Sequence, residues 1–311
     1  MSSIGSGTVA ARGAVEQTLR GKRVDLKSKV FELGLLAALG LCLLVLLVLL
    51  YDVFTGGLPV LTERGTEFLR GGLSPLPATA GVGQGIQGSF LMMLFVVVLA
   101  FPVGIGAAIY LEEYARDTRF TRFVNVNIRN LAGVPSIVYG ILGFSIFVRA
   151  LGGLTGGESV MAGGITLAVL VLPIVIITTA EALRAVPDSI REAGYGVGAT
   201  RWEVVRSHVL PSAAPGILTG TVLSLSRALG ETAPLLLVGA VTGFLATGSQ
   251  SFVEQIQGPF TALPTIVFAW ARLPNAAFRD LTSAAIIVLL GVILVANAAA
   301  IFLRNRYDRK W

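Results

Sequence analysis

Long apolar runs separated by short polar segments set the pattern of this sequence. A helix that crosses a bilayer needs about 20 mostly apolar residues, because hydrocarbon offers no partner to an unpaired peptide group. Six stretches meet this requirement. We predict spans at residues 30–51, 88–111, 130–148, 159–180, 210 to about 244, and 281–303. The pattern therefore predicts an all-α, polytopic membrane protein with six transmembrane helices.

The composition agrees with this pattern and excludes several classes of protein. The 311-residue chain is 54% hydrophobic and only 14% charged, whereas a soluble domain carries about 25% charged residues. A cytosolic enzyme, a nucleic-acid-binding module and a disordered protein are thereby excluded. The chain has one cysteine, Cys42, and one histidine, His208, which rules out a disulfide framework and histidine-based zinc sites. We expect no metal or other cofactor.

Lysine and arginine are spread unevenly over the loops, and this predicts the orientation. Of the 24 basic residues, 18 lie in the two tails and in the second and fourth loops, five lie in the other loops, and Arg227 lies inside a span. Basic residues concentrate on the cytoplasmic side, so both termini are predicted to be cytoplasmic. Residues 1–29 form a basic tail, either an interfacial helix or a solvated segment, and residues 30–311 form the transmembrane domain.

The fourth loop, residues 181–211, is more than a simple connection between spans. Pro187, Asp188 and Ser189 form a helix-start signal, and apolar residues recur at helical spacing on both sides of a glycine-rich break. Two short amphipathic helices joined by a flexible turn are predicted. Such a hairpin either docks a soluble partner or lies on lipid headgroups.

The spacing within this loop resembles the EAA loop of binding-protein-dependent ABC importer permeases. Glu192-Ala193-Gly194 is followed after three residues by Gly198 and after nine more by His208-Val209-Leu210-Pro211. The family pattern has Ala where Gly194 stands and Ile where His208 stands, but every separation is intact. In that family the loop forms a coupling helix that sits in a groove of the cytoplasmic ATPase. The resemblance implies docking through Glu192, Ala193, Gly198, Ala199, Thr200, Trp202 and Arg206, with Trp202 as the anchor.

Two ionisable residues, Arg227 and Glu231, lie inside the predicted fifth span. A charge at membrane depth costs about 2.5 kcal/mol or more and indicates a functional site. Four residues apart, the two share a helix face and can pair, and a guanidinium fork matches the oxygens of phosphate. An anion pathway is favoured; a buried pair that only fixes helix register is the alternative. The predicted pathway residues are Arg227, Glu231, Ser224 and Thr232.

Three motifs carry a closer resemblance, from about Ser89 to the C-terminus. They are Asn130-Leu-Ala-Gly-Val-Pro-Ser-Ile-Val-Tyr-Gly140, Ser226-Arg-Ala-Leu-Gly-Glu-Thr-Ala-Pro-Leu-Leu236 and Ala262-Leu-Pro-Thr265. Together with the Arg304-Asn-Arg-Tyr307 run, they look like PstA-type permeases of phosphate ABC importers. The Gly-Glu-Thr-Ala-Pro-Leu-Leu run separates this type from its PstC-type partner.

The resemblance implies a non-catalytic subunit of an ATP-driven phosphate importer in the bacterial plasma membrane. It implies as partners a PstC-type second permease, two PstB-type ATPase subunits and a periplasmic phosphate-binding protein that docks near residues 248–275. The chain has no P-loop pattern G-x-x-x-x-G-K-[ST], so it cannot hydrolyse ATP in that manner. The transmembrane domain would then be a permease domain that forms half of the anion pathway.

Other functions remain open from the sequence. A permease for another tetrahedral oxyanion, sulfate or molybdate, would use the same charge and shape. A stand-alone, gradient-driven transporter predicts inverted repeats, which the sequence does not show, and it leaves the fourth loop unexplained. A membrane-embedded hydrolase is the weakest alternative, because no serine with histidine and no two carboxylates share a span.

Some residues receive plainer interpretations. Glu112 and Glu113, followed by Arg116 and Arg119, are predicted to form a solvated, salt-bridged end of the second span. Trp270 is predicted to be an interfacial aromatic residue. Residues 263–271 are predicted to form a partial dip or a short helix on the outer mouth.

Overall fold

The computed structural model describes residues 26–241 and 252–307, and within these ranges the regular structure is helical, without a strand. The helices are α1 (Leu26–Arg70), α2 (Gly83–Tyr114), α3 (Arg119–Ala132), α4 (Ser136–Ala150), α5 (Gly152–Thr155), α6 (Val160–Arg184), α7 (Asp188–Gly196), α8 (Arg201–Gly230), α9 (Ala233–Leu237), α10 (Phe252–Gln257), α11 (Leu263–Trp270) and α12 (Ala277–Tyr307). Four segments inside them are π-helical: Val96–Ala100, Tyr110–Tyr114, Phe144–Ala150 and Val205–Val209.

The predicted all-α class and span count are confirmed. By length and composition α1, α2, α6, α8 and α12 can each cross a membrane, and the bent pair of α3 and α4 supplies a sixth span.

The third span was predicted over residues 130–148 with a kink at Pro135, and the structure divides it into two helices at that proline. α3 ends at Ala132, α4 begins at Ser136, and the two helices are bent by 100°. Pro135 causes the break: it cannot donate a backbone hydrogen bond, and it disfavours helical geometry at the residue before it. α3 is itself amphipathic and exposes Phe120 and Phe123.

The fifth span begins and ends earlier than predicted. α8 starts at Arg201, inside the fourth loop, and runs without interruption to Gly230. Glu231 then has extended backbone angles (φ −74°, ψ 127°), and the short helix α9 follows with Pro234 in its first turn. Glycine followed by a proline-started helix is a common way to stop one helix and begin another. The predicted end of the span, residues 242–244, lies outside the described residues.

The chain divides into two units, residues 1–52 and 53–311. In the first unit the structure describes residues 26–52, which are helical throughout. The predicted basic tail, residues 1–29, lies outside the described residues except for its last four positions.

α6 is the central helix of the second unit, and α2, α3, α4 and α8 all pack against it. One hydrophobic cluster joins α2 to α6 through Met92, Val96, Leu167 and Val171, and it also includes Phe260. A second cluster lies where α6 meets the start of α8, around buried Leu183, Val204 and Val209. These two clusters position the end of α8 and the fourth loop.

Trp270 lies in a separate aromatic core, which corrects the interfacial prediction. Its side chain is 2% exposed and packs between Phe68 and Phe278, with ring centroids 6.3 and 5.7 Å away. A short helix does occupy Leu263–Trp270, and it turns the indole into this core.

Gly88 marks a close approach between α2 and the segment before α11. A Cβ atom built at Gly88 would overlap the carbonyl oxygen of Thr261. Directly beside it, the buried Ser89 hydroxyl accepts a 3.0 Å hydrogen bond from the backbone N–H of Leu263. A side chain at residue 88 would therefore push these two segments apart.

We predict that Gly88→Ala destabilises the protein by about 1–3 kcal/mol, the usual cost of overpacking a close contact. Thermal unfolding of the purified protein in detergent measures this as a lower Tm. Gly106→Ala, in the same helix, is the matched control because its Cβ would meet nothing within 4 Å. Equal Tm values for the two variants would contradict the prediction.

Candidate functional site

Arg227 and Glu231 pair at the end of α8, as their spacing predicts. The Nε atom of Arg227 lies 3.4 Å from Oε1 of Glu231, and the two side chains are 50% and 14% exposed. Glu231 is the first residue after the helix, and its backbone N–H donates to the carbonyl oxygen of Ala228 at 3.3 Å. The helix break therefore holds a shielded carboxylate against a guanidinium that faces outward.

The other two predicted pathway residues, Thr232 and Ser224, lie in different surroundings. Thr232 is half-buried, follows Glu231 in the break, and accepts a hydrogen bond at its carbonyl oxygen from Leu236 N–H. Ser224 is fully buried, and its hydroxyl donates to the carbonyl oxygen of Gly220 at 2.9 Å. The break thus brings together Arg227, Glu231 and Thr232, whereas Ser224 lies inside the fold.

Arg227 belongs to an exposed face of α8. Thr219, Leu223, Arg227 and Gly230 are all exposed, and spacings of three or four residues put them on one side of a helix. Arg304 of α12 reaches the same face, where its Nη1 donates to the Thr219 hydroxyl at 3.3 Å. The face combines one long apolar side chain with small, polar and cationic groups.

Asn297 is a site neighbour that the sequence reasoning missed. The hydroxyl of Ser226, next to Arg227, contacts the side-chain oxygen of Asn297 at 2.5 Å and so joins α8 to α12. The available signal was composition, since Asn297 is the one amide in the predicted span 281–303. Polar side chains at that depth commonly hydrogen-bond across helices.

A small, partly open pocket with room for about one water molecule lies among α2, α6, α8, α9 and α11, but it does not suit an anion. It is lined by Ser89, Met92, Met93, Val96, Leu167, Ala228, Leu229, Leu235, Ala262 and Pro264. Ser89 is the one polar side chain in this set, and a charge buried in such a lining would be uncompensated. The outward face of Arg227 is therefore the better anion surface.

The fourth loop folds into a helical hairpin, formed by α7, the turn 197–200 and the first turns of α8. Gly198 has φ +84° in the turn. Thr200 caps α8: its hydroxyl accepts from Glu203 N–H, and the Glu203 carboxylate accepts from Thr200 N–H at 2.7 Å, a capping box. The predicted two helices are present, but the second continues into the fifth span.

Most predicted docking residues point away from the chain. Trp202 is 54% exposed, and Ala199 is half-buried. The remaining predicted docking residues are exposed: Glu192, Ala193, Gly198, Thr200 and Arg206. The hairpin thus exposes most of the predicted docking residues, including the indole of Trp202.

The hairpin also explains one departure from the EAA pattern. Gly194 is buried against α8, and a Cβ there would lie 2.7 Å from Cγ2 of Val204. Alanine at this position would require Val204 to move, so glycine permits the close packing of the two hairpin helices.

The end of α2 corrects the interpretation of Glu112 and Glu113. Glu112 accepts from Arg184 Nε at 2.8 Å, and Glu113 accepts from Arg191 Nη2 at 2.8 Å. Glu113 is only 5% exposed. These carboxylates are therefore paired across helices with residues far along the chain, and not solvated beside Arg116 and Arg119.

Arg191 has several fixed acceptors besides Glu113. Its guanidinium donates to the carbonyl oxygens of Leu183 and Val186 at 2.9 and 2.8 Å, and to Asp188 at 3.2 Å. Hydrogen bonding to Glu113 raises the pKa of Arg191 despite the opposing effect of burial. The residue stays charged at any physiological pH. In the described part of the chain, no cluster of three His, Cys, Asp or Glu residues is arranged to hold a metal ion.

Comparisons with known proteins agree on one family. Residues 100–311 match the family described as binding-protein-dependent transport system inner membrane component. The phosphate transport system permease protein PstA of Yersinia pestis is 37% identical, over 76% of this chain and 77% of that protein. The phosphate transport system permease protein PstA 1 of Mycobacterium tuberculosis H37Rv is 32% identical, over 91% and 89%.

Solved structures show the same fold. A bacterial alginate ABC transporter, crystallised with a periplasmic protein bound to an alginate pentasaccharide, matches with a TM-score of 0.60 and 15% identity, covering 92% of this chain and 99% of that one. The inward-facing MetNI methionine ABC transporter matches with a TM-score of 0.58 and 18% identity, covering 73% and 98%.

We predict that Gly198→Ala loosens the hairpin, because an L-residue in left-handed geometry costs about 1–2 kcal/mol. Hydrogen exchange of residues 188–204, followed by mass spectrometry, should speed up by about 5- to 30-fold. Gly196→Ala is the control, since its Cβ also meets open space and its φ is not positive. Unchanged exchange in the Gly198 variant would contradict the strain argument.

Proposed function

The chain belongs to the family of inner-membrane components of binding-protein-dependent transport systems, and we propose that it is the PstA-type permease subunit of an ATP-driven phosphate importer. As a membrane component of such a system it is a transporter subunit and not an enzyme. The relatives named above are phosphate transport permeases, and the chain matches them over most of their length. This similarity supports phosphate as the substrate.

The observation that carries this proposal is the outward-facing guanidinium beside a break in a spanning helix. A charge exposed to hydrocarbon costs at least about 2.5 kcal/mol, so the half-exposed face of Arg227 requires a polar cover. A second, PstC-type permease subunit supplies that cover. The anion pathway then runs between the two subunits, and this chain forms half of it.

Phosphate suits the chemistry of this face. Arg227 presents a permanently charged fork of N–H donors to phosphate oxygens. Oε1 of Glu231 lies 3.4 Å from Nε of Arg227, so the carboxylate balances the charge of the guanidinium when no anion is present. When phosphate is bound, the same carboxylate accepts a hydrogen bond from a protonated phosphate oxygen. Thr232, in the same break, contributes a further hydroxyl. Ser224 has no such role in the proposal, because its hydroxyl is turned into the fold.

The helical hairpin on the cytoplasmic side docks the ATPase that drives transport. The exposed Trp202 is the docking anchor for one of two PstB-type ATPase subunits, and buried aromatic anchors dominate binding energies at interfaces. Glu192, Ala193, Gly198, Ala199, Thr200 and Arg206 surround it. Both termini are then cytoplasmic, and residues 30–311 form the permease domain in the bacterial plasma membrane. A periplasmic phosphate-binding protein delivers the anion on the opposite side.

We predict that Arg227→Gln reduces phosphate uptake to background while the complex still assembles. The substitution removes a charge-assisted hydrogen bond to the anion, which contributes about 1.5–3 kcal/mol. Radiolabelled phosphate uptake into proteoliposomes measures the effect, with sulfate and molybdate as competing substrates. Arg149→Gln is the control, because that arginine belongs to α4, where its guanidinium stacks on the ring of Phe144. Normal uptake by the Arg227 variant would refute the pathway role, and preferred uptake of sulfate or molybdate would refute phosphate.

We predict that Trp202→Asp releases the ATPase subunits without unfolding the permease, because this side chain is exposed in the isolated chain. A central aromatic anchor contributes about 2 kcal/mol or more, so the variant should lose the ATPase during affinity purification. Trp202→Phe keeps an aromatic anchor and should retain most of it. Full retention of the ATPase by the Asp variant would show that docking lies elsewhere.

A further inference from the structure

Three consecutive residues at the end of α2 each contact an arginine from a different element. Glu112 pairs with Arg184 at the end of α6, and Glu113 pairs with Arg191 in α7. The ring of Tyr114 lies 5.2 Å below the guanidinium of Arg201, the first residue of α8. The last turn of α2 is therefore attached to the fourth span and to both helices of the hairpin.

The central pair, Glu113–Arg191, is far less exposed to solvent than a surface salt bridge. The two side chains are 5% and 17% exposed, whereas those of the Asp117–Arg122 pair are 82% and 70% exposed. Arg191 also donates to two backbone carbonyls and to Asp188, which leaves the guanidinium few alternative positions. Exposed ion pairs contribute little to stability, because holding two freely moving side chains together costs conformational entropy. The additional hydrogen bonds of Arg191 already restrict its side chain, so this cost is smaller for the Glu113–Arg191 pair.

The Glu113–Arg191 pair connects the hairpin to α2, and α2 in turn packs near the helix break after α8. α7 packs on the start of α8, and Arg191 ties it to α2. Further along α2, Met92 and Val96 lie in the same hydrophobic cluster as Ala228 and Leu235, which flank the helix break after α8. A displacement of α2 therefore reaches the surroundings of Arg227 and Glu231 by a route separate from α8 itself.

We propose that Glu113 and Arg191 are positioning residues whose ion pair makes the docking hairpin and α2 move as one body. Movement of the docked ATPase then reaches the break at Glu231 through both α2 and α8. This inference rests on the proposed function, because it takes the hairpin as the ATPase docking element. Neither residue contacts the substrate.

The test compares Glu113→Gln with Glu112→Gln in the reconstituted complex. Both variants remove one carboxylate charge from the same helical turn, but Glu112 pairs with α6 and not with the hairpin. The amount of phosphate transported per ATP hydrolysed should fall about 2- to 30-fold in the Glu113 variant, the usual range for breaking a coupling contact. The Glu112 variant should stay near wild type. A wild-type ratio in the Glu113 variant would overturn the proposal.

A double variant separates positioning from stability. Glu113→Gln alone leaves Arg191 charged with the exposed Asp188 as its remaining carboxylate partner, and a shielded charge that loses its main partner can prevent assembly. Adding Arg191→Gln removes the stranded charge, so assembly should recover. If the pair only stabilises the fold, transport per ATP recovers as well, and the proposal is wrong. If the pair transmits movement, the assembled double variant still transports at the reduced ratio.

A distance measurement tests the link without reference to the substrate. Spin labels at Ser189→Cys in α7 and Val103→Cys in α2 occupy exposed positions, in a Cys42→Ser background. Pulsed EPR should give the same narrow distance distribution with and without trapped nucleotide in the wild type, and a broadened one in the Glu113→Gln variant. Unchanged distances in that variant refute the link. A rigid link in a complex that moves no phosphate would refute the proposed function alone.

Discussion

The need to satisfy every backbone polar group inside hydrocarbon controls where this chain departs from continuous helix. At three irregular segments in the described part of the chain, backbone N–H groups find partners within the protein. Leu263 N–H donates to the Ser89 hydroxyl at 3.0 Å, Val241 N–H donates to the carbonyl oxygen of Phe260 at 2.7 Å, and Glu231 N–H donates to Ala228. At these three places the irregular backbone is satisfied by protein groups, and the charged pair lies at one of them.

Charge is handled in two different ways along the molecule. At the break after α8, Glu231 is shielded while Arg227 faces outward, so the guanidinium remains available to another molecule. At the end of α2, Glu113 and Arg191 are both largely buried and hydrogen-bonded, so neither is available. The difference follows from the number of acceptors: Arg191 has backbone carbonyls and carboxylates on several sides, which fix it within the fold.

The sequence predicted what depends on local pattern and failed where distant segments meet. The lengths of the apolar stretches were enough to predict the number of spans, and the four-residue spacing of Arg227 and Glu231 was enough to predict that they pair. Pro135 predicted a kink in the third span, but neither the proline nor the hydropathy gives the size of the bend, which is 100°. The pairing of Glu113 with Arg191 was not predictable, because 78 residues separate them and local spacing favoured Arg116 and Arg119. The burial of Ser224 was not predictable either, because periodicity does not show which face of a helix its neighbours cover.

The unbroken course of α8 has a mechanical consequence. From Arg201, in the hairpin, to Arg227 the helix rises about 39 Å at 1.5 Å per residue, so one continuous helix carries the proposed docking surface at one end and the guanidinium at the other. A small tilt at the cytoplasmic end swings the far end through an arc in proportion to this length. The π-helical turn at Val205–Val209 lies near the start of α8, so most of the length of the helix follows it.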